Sequence, residues 1–293
     1  MNTKDIDGKS IAATIKKEIA AEVAAMIDSG QKAPHLAAIL VGHDPASESY
    51  VASKERACHE VGMTSTLYRL PETTKESELA EVIRFLNQDE EVDGFIVQLP
   101  LPEHIDPDRI IALIAPEKDV DGFHPVNIGR LQLGQSCFMP ATPHGIVEML
   151  KRSNIELAGK HCVIIGRSNI VGTPLAVMLS RRQINATVTL CHSKTANLNQ
   201  ITRQADVLFV AIGQAGFVKK DMLKEGTVVV DVGINRVDDP SSPKGYRMAG
   251  DVDYLDVIGT VSRITPVPGG VGPMTIVSLL QNTLAAAKKT VYP

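Results

Sequence analysis

The chain has no tryptophan and only five tyrosines and six phenylalanines, so an aromatic ring beside a polar candidate carries unusual weight. Cysteine is also scarce. Cys58, Cys137, Cys162 and Cys191 lack C-x-x-C spacing, and three of them fall in apolar helix or strand patterns. That argues against a disulfide framework or a zinc site and fits reduced thiols in a cytosolic protein. No apolar run approaches the roughly 20 residues that span a bilayer, and the first ten residues lack the apolar core of a signal peptide. A cytoplasmic protein is therefore expected. A formal net charge of -4 gives no electrostatic reason to expect a nucleic-acid or anionic-membrane partner. Internal repeats, low-complexity segments and metal-ligand clusters are not evident.

What is present is an alternation of strand and helix signals over 293 residues, a length that suggests about two domains. Ile11, Ile15, Ile19, Val23 and Met26/Ile27 recur at helical spacing, and Ser29-Gly30 closes the pattern. Residues 36–41 form a buried strand ending at Gly42, followed by Asp44 as N-cap and Pro45 at the first helical position. That helix carries Tyr50, Lys54 and Cys58 and ends by Gly62. A strand over 64–70 precedes Thr73-x-x-Glu76, a capping box. Residues 94–100 are apolar on both faces, which predicts a central parallel strand, and Asp106-Pro107 opens another helix. Thr142-Pro143 repeats the N-cap and proline signal, opening a helix that bridges to a second domain. There the pattern is strand 161–165, helix 174–182, strand 186–191, helix near 196–203, and strands 206–211 and 227–232. This is a dinucleotide-type order with a mainly parallel sheet. A last helix over 273–289 packs back on the first domain. The expected division is a catalytic α/β domain over 1–141 plus 273–293, and a Rossmann-type domain over 142–272.

The second domain is organised around Gly166-Arg-Ser-Asn-Ile-Val-Gly172, a turn between strand and helix. A helix start just past a strand end favours an anion such as a nucleotide phosphate. The spacing is not G-x-G-x-x-G, and an ordinary glycine turn fits it as well. One strand later, Cys191 is followed by His192-Ser193-Lys194-Thr195, where NAD enzymes usually place Asp or Glu for the ribose 2′-OH. A hydroxyl and a cation suit a 2′-phosphate instead, and Arg167 adds a second positive charge; the combined reading is NADP. The alternative is a solvated basic loop. Gly213 and Gly233, the latter beside Ile234, end the next two strands and suit close backbone approach to a ligand, although both also fit plain turns.

In the first domain, Tyr50 and Lys54 lie four apart on one helix face. A lone helical lysine is usually solvated. Gln98, however, ends an apolar strand where a buried amide needs partners, and it could meet Lys54 over one pocket. Desolvation there would lower the lysine pKa toward the range useful for proton transfer. In Lys118-Asp-Val-Asp-Gly122, Asp-Gly is a common turn pair, yet Asp121 could accept paired hydrogen bonds from an amidine-like heterocycle edge. The run Thr265-Pro-Val-Pro-Gly-Gly-Val-Gly-Pro273 is too stiff and glycine-rich for a linker alone and implies backbone approaching something closely.

With Tyr50-Val-Ala-Ser-Lys54, Gly94-Phe-Ile-Val-Gln-Leu-Pro-Leu-Pro102, Lys118-Asp-Val-Asp-Gly122, Gly166 to Gly172, Cys191-His-Ser-Lys-Thr195 and Thr265 to Thr275 in order, the chain resembles the bifunctional methylenetetrahydrofolate dehydrogenase/methenyltetrahydrofolate cyclohydrolases. The likeness covers nearly the full length, and with no segment left for a formyltetrahydrofolate synthetase domain it points to the short bacterial type. It implies a site in the cleft between two domains, with NADP as cofactor and a folate as substrate. There, methylenetetrahydrofolate would be oxidised to the methenyl cation, which water opens to 10-formyltetrahydrofolate. By resemblance, Lys54 is the acid/base of the hydrolytic step, Gln98 orients it, Tyr50 stacks on the aminobenzoyl group, and Asp121 holds the pterin. Leu99, Pro268, Gly269 and Gly270 line the folate site. Gly166, Arg167, Ser168, Ile170, Ser193, Gly213, Gly233, Ile234 and Thr275 contact the cofactor, Arg167 and Ser193 toward the 2′-phosphate. A homodimer is implied as well. One departure is Ala141 in Pro140-Ala-Thr-Pro143, where the family usually has Cys; this bears on packing. A dehydrogenase alone, or a non-catalytic NADP-binding regulator, would share much of the pattern.

Overall fold

The computed structural model describes residues 4–242 and 245–292. The chain divides into two compact units, Ala13–Ala141 with Ile276 onward, and the residues before Ala13 with Thr142–Thr275. Two boundaries differ from the sequence reading. The segment before Ala13 belongs with the nucleotide-type unit, because Ile6 N–H donates to the Ile264 carbonyl and Ile264 N–H to that of Lys4, both within that unit. The C-terminal boundary falls after Thr275, since α10 (Val271–Ala287) contributes its first turn to one unit and the rest to the other.

Helix α1 (Gly8–Asp28) begins in the nucleotide-type unit and continues from Ala13 in the first, where it buries Ile15, Ile19, Val23 and Met26, while Ile27 is exposed. Then follow β1 (His35–Val41), α2 (Pro45–Glu60), β2 (Thr64–Leu70), α3 (Glu76–Gln88), β3 (Gly94–Val97), α4 (Pro107–Ile111) and α5 (Pro125–Leu133). Asp44 caps α2, its carboxylate accepting from Ser47 N–H at 2.7 Å, a cap worth ~1 kcal/mol. The start of α3 sits two residues later than Thr73 implies: Lys75 is the N-cap, and because its ammonium cannot accept a bond only half of a capping box forms, Lys75 N–H donating to the Glu78 carboxylate at 2.9 Å.

The sheet is parallel, in the order β2-β1-β3. The central strand is therefore β1, and β3 lies beside it. All four β3 residues are buried, so both faces are covered although the strand is not central; its outer edge is bridged separately, at Asp119, where Phe95 N–H donates to the Lys118 carbonyl. This bridge places the Lys118–Asp121 run beside the strand that leads into Gln98.

The second unit holds α6 (Ala141–Arg152), β4 (His161–Ile165), α7 (Gly172–Ser180), β5 (Thr187–Cys191), α8 (Leu198–Thr202), β6 (Val207–Val210) and β7 (Val228–Asp231). The helix α6 begins at Ala141, so Thr142 is inside it and not its N-cap; Thr142 Oγ1 instead bonds Thr275 Oγ1 at 3.0 Å. Likewise α7 starts at Gly172, two residues before Pro174, the first position at which its apolar pattern is readable. Alternation alone does not reveal the next elements, an antiparallel pair β8 (Asn235–Asp238) and β9 (Tyr246–Ala249), a short helix α9 (Tyr254–Val257) and a last short strand. With β10 (Arg263–Ile264) the main sheet is five-stranded and parallel, in the order β10-β7-β6-β4-β5. Its central strands β4, β6 and β7 are buried almost throughout.

Each unit starts its first strand with the same stitch. His35 N–H donates to Asp93 and its Nε2 pairs with Thr66 Oγ1 at 2.9 Å. His161 N–H donates to Asp206 and its Nε2 pairs with Thr189 Oγ1, also at 2.9 Å. These ties fix the amino ends of both sheets, leaving the carboxyl ends to present turns.

Candidate functional site

Within the first unit, β1, β3 and α2 bring Lys54 to Gln98. Lys54 Nζ donates to Gln98 Oε1 at 3.0 Å, and Lys54 is 8% exposed. Gln98 is held at both ends: its N–H reaches the Ile39 carbonyl at 2.9 Å and its Nε2 donates to the Leu99 carbonyl at 2.6 Å. Those bonds fix which end of the amide faces the lysine. Gln98 thus accepts one ammonium proton and leaves the others for a ligand. Burial lowers the Lys54 pKa, and the Asp121 carboxylate partly restores it. Burial conversely raises Asp121, with Lys54 opposing. Tyr50, one turn before Lys54, is 37% exposed, so part of its ring is available for stacking. The lysine, glutamine and aspartate of the sequence reading are therefore one electrostatic group.

Asp121 is held in place by bonds to its turn from elsewhere in the same unit. Asn282 of α10 donates to the Val120 and Met139 carbonyls at 2.8 and 2.9 Å, clamping both sides of the turn. Ala141 N–H donates to the Asp121 carbonyl, and Ala141 is buried, so the small side chain there is a packing element. Asp119, 1% exposed, accepts from His124 N–H and Asn127 Nδ2. Asn127 Oδ1 in turn accepts from the Tyr292 hydroxyl at 2.7 Å. The only hint of Asp119 was its spacing from Asp121; Asn282 and Asn127 carry no local pattern at all.

Burial pushes Asp119 up to about 7 from 3.8. Below about pH 4 both folded and unfolded chains hold this proton; between about 4 and 7 only the folded chain does. Folding stability is therefore fully present at low pH and falls as pH rises through that window, by up to ~4 kcal/mol at 1.36 kcal/mol per pKa unit. Denaturant unfolding between pH 4 and 8 should show this decline, and it should be shallower in Asp119→Asn. An equal slope in both proteins would contradict the assignment.

In the second unit, β4 ends in the Gly166 turn. Gly166 N–H donates to the Cys191 carbonyl at 3.0 Å, which sets this turn beside the one after β5. Ser168 Oγ accepts from Val171 N–H and Thr173 Oγ1 donates to the Arg167 carbonyl, closing the loop. The second turn is closed by His192 N–H on Thr195 Oγ1 and Lys194 N–H on His192 Nδ1. Arg167, Ser168, Ser193 and Lys194 are all exposed there, a hydroxyl and cation cluster suited to a phosphate. Gly166 has φ +117°, and a Cβ at Gly172 would overlap the Gly166 carbonyl oxygen. The atypical G-x-x-x-x-x-G spacing is thus what brings the α7 start onto the end of β4. Gly172→Ala should displace this turn: bound NADP+ should raise the thermal midpoint of the wild type but leave that of the variant unmoved, and an equal upshift in both would contradict the cradle.

Gly213 and Gly233 follow β6 and β7, with Ile234 39% and Ile170 38% exposed. The Pro-Gly run, residues 265–273, also lies in this unit. Its close backbone neighbour is the start of α1: Lys9 N–H donates to the Gly269 carbonyl, and a Cβ on Gly8 would overlap the Gly270 carbonyl. Pro268 stays exposed. Cys58, Cys162 and Cys191 are buried free thiols, Cys58 and Cys162 pushed up to about 12 by burial, and none is a poised nucleophile. Among the described residues no group of three or more His, Cys, Asp or Glu could hold a metal ion, and no helix is long and apolar enough to cross a membrane.

A parallel doubly wound sheet with a phosphate-type turn, joined to an α/β unit bearing a buried lysine, defines a dinucleotide-dependent two-domain enzyme. Residues 6–121 match the tetrahydrofolate dehydrogenase/cyclohydrolase catalytic domain, and residues 140–291 match the NAD(P)-binding domain of the same family. The bifunctional protein FolD of Bacteroides fragilis is 54% identical over 289 residues, 98% of this chain and 99% of that protein. The bifunctional FolD dehydrogenase/cyclohydrolase of Campylobacter jejuni has a crystal structure with 49% identity and a TM-score of 0.91, covering 97% of this chain and 98% of that one. The FolD of Trypanosoma brucei, solved with NADP and an inhibitor, is 38% identical with a TM-score of 0.93, covering 99% and 98%. The chain belongs to the tetrahydrofolate dehydrogenase/cyclohydrolase family.

Proposed function

We propose that this protein oxidises 5,10-methylenetetrahydrofolate with NADP+ and then hydrolyses the 5,10-methenyl product to 10-formyltetrahydrofolate, with Lys54 as the proton-transfer group of the second step. The observation that carries the hydrolytic half is the buried Lys54–Gln98 pair, its pKa lowered by burial and countered by Asp121. Bound NADP+ supplies a hydride acceptor for the one-carbon bridge. The chain's own residues position, bind and move protons. Asp121 receives the N–H edge of the pterin and Tyr50 stacks on the aminobenzoyl ring, which holds the bridge in one orientation and supplies much of what hydride loss requires. In hydrolysis, water adds to the methenyl carbon and gives up a proton, leaving a neutral carbinolamine. The bond from that carbon to N5 then breaks, N5 takes a proton and the hydroxyl gives up its own as the formyl C=O forms, so one proton is released overall. Lys54, made less basic by burial, serves these transfers while Gln98 keeps Nζ in place. Leu99, Pro268, Gly269 and Gly270 complete the folate side.

Gly166, Arg167, Ser168, Ile170, Ser193, Gly213, Gly233, Ile234 and Thr275 are assigned to NADP, with Arg167 and Ser193 on the 2′-phosphate. The exposed cation and hydroxyls at that turn, and no carboxylate in the 192–195 run, support NADP over NAD. A cytoplasmic homodimer with no nucleic-acid or membrane partner completes the reading. Separate assays of the two steps, each folate supplied directly and the first run with NAD+ and with NADP+, test it. Turnover of both folates with NADP+ is expected. Nucleotide binding without folate turnover would make the protein a regulator, and oxidation without hydrolysis would make it a dehydrogenase alone.

A further inference from the structure

Two buried carboxylates, Asp231 and Asp251, stand behind the turns assigned to the cofactor and take no part in the chemistry above. Asp251 is 0% exposed. Its Oδ2 accepts from the N–H groups of Ile212 and Gly213 at 2.7 and 3.0 Å, and its Oδ1 from Gln214 N–H at 2.7 Å and Asn235 Nδ2 at 2.9 Å. One side chain thus gathers three consecutive N–H groups of the turn after β6 and ties them to the first residue of β8. Asp231, at the end of β7, accepts from Gly233, Asp251 and Val252 N–H groups at 2.9 to 3.0 Å. It fixes the backbone that carries Asp251. The packing leaves no slack: a Cβ on Gly233 would overlap the Asp251 carboxylate, and one on Gly250 that of Asp231.

The sheet order shows which half of a dinucleotide these turns serve. From the interior strand β4 the chain winds through α7 to β5 on one side, then continues with β6 and β7 on the other. The phosphates belong at the switch between them, over the Gly166 turn. The β5 side offers Arg167 and Ser193 to the 2′-phosphate, so the remaining half, ribose and nicotinamide, falls to the turns after β6 and β7. Those groups donate hydrogen bonds through hydroxyls and a carboxamide. With its three N–H groups turned inward onto Asp251, the 212–214 turn keeps carbonyl acceptors as its free backbone groups. It is unsuited to a phosphate and suited to such donors.

We propose that Asp251, set in place by Asp231, is a positioning residue for the nicotinamide half of NADP. The proposal rests on the NADP assignment above. In Asp251→Asn one acceptor atom becomes an NH2 facing N–H donors, so the turn loses its shape while the Gly166 and His192 turns keep theirs. Binding of NADPH and of adenosine 2′,5′-bisphosphate, which lacks the nicotinamide half, separates the two effects. NADPH should bind about tenfold or more weakly, the loss of ~1.4 kcal/mol or more, with the fragment's affinity unchanged. Equal weakening of both, or of neither, overturns the positioning role. If Asp251→Asn does not fold, Asn235→Ala removes one donor to Asp251, and the same split, about threefold by the scale of a single hydrogen bond, decides the matter. A wild type that binds neither probe overturns the NADP reading itself and this proposal with it.

Discussion

Lys54→Met should lower the cyclohydrolase rate by about 10²- to 10⁴-fold, the range for loss of a general acid/base, while leaving part of the dehydrogenase rate. Methionine keeps the length and apolar stem of the side chain in a position only 8% exposed, so the fold should survive and even gain from losing a buried charge. Gln98 Oε1 would lose its donor, and Asp121 would lose the cation that holds its pKa down. Folate binding should therefore weaken in both steps, so KM rises for each, but kcat collapses only for hydrolysis. Steady-state assays with each folate supplied separately read this split. Unchanged kcat for hydrolysis would leave Lys54 a structural residue.

Arg167→Ala should raise KM for NADP+ by about 10- to 100-fold with NAD+ little affected. A charge-assisted hydrogen bond contributes roughly 1.5–3 kcal/mol, which converts to that range. The guanidinium is exposed, and the loop bonds use only the Arg167 carbonyl, so the substitution leaves the turn intact and isolates the phosphate contact. Parallel titrations of both cofactors measure it. Equal use of NAD+ and NADP+ by the wild type would remove the basis for the 2′-phosphate assignment.

The sequence exposed those parts of the protein whose causes are local. Asp44-Pro45 reads as a helix start because capping is satisfied within one turn, and β1 and β2 fall where an apolar run and an alternating stretch place them. Lys54 and Gln98 were legible as a pair because a helix face and a strand end each raised a question that the other answered. What failed was non-local. The both-faces-apolar pattern of β3 suggests a central strand, but that pattern reports cover above and below the sheet and not position in it: β3 is buried throughout, yet β1 is the central strand. Thr142-Pro143 resembled a cap, yet the helix starts earlier and the threonine bonds Thr275 over a long sequence separation. The short β8 and β9 have partly exposed, polar residues, so neither alternation nor a long apolar run marked them.

The same distinction governs the site. Asp121 was readable from a short motif, but Asn282, which clamps the turn around it, comes from the far end of the chain. Asp231 and Asp251 likewise act on the 212–214 and 233–235 turns through bonds spanning up to 39 residues. Such carboxylates look in sequence like ordinary turn residues.

The most direct test of the account is the product of one reaction begun with 5,10-methylenetetrahydrofolate and NADP+. If Lys54, Gln98 and Asp121 complete the second step, NADPH and 10-formyltetrahydrofolate should accumulate together. Accumulation of the methenyl compound as the end product, with NADPH formed at the same rate, would contradict it.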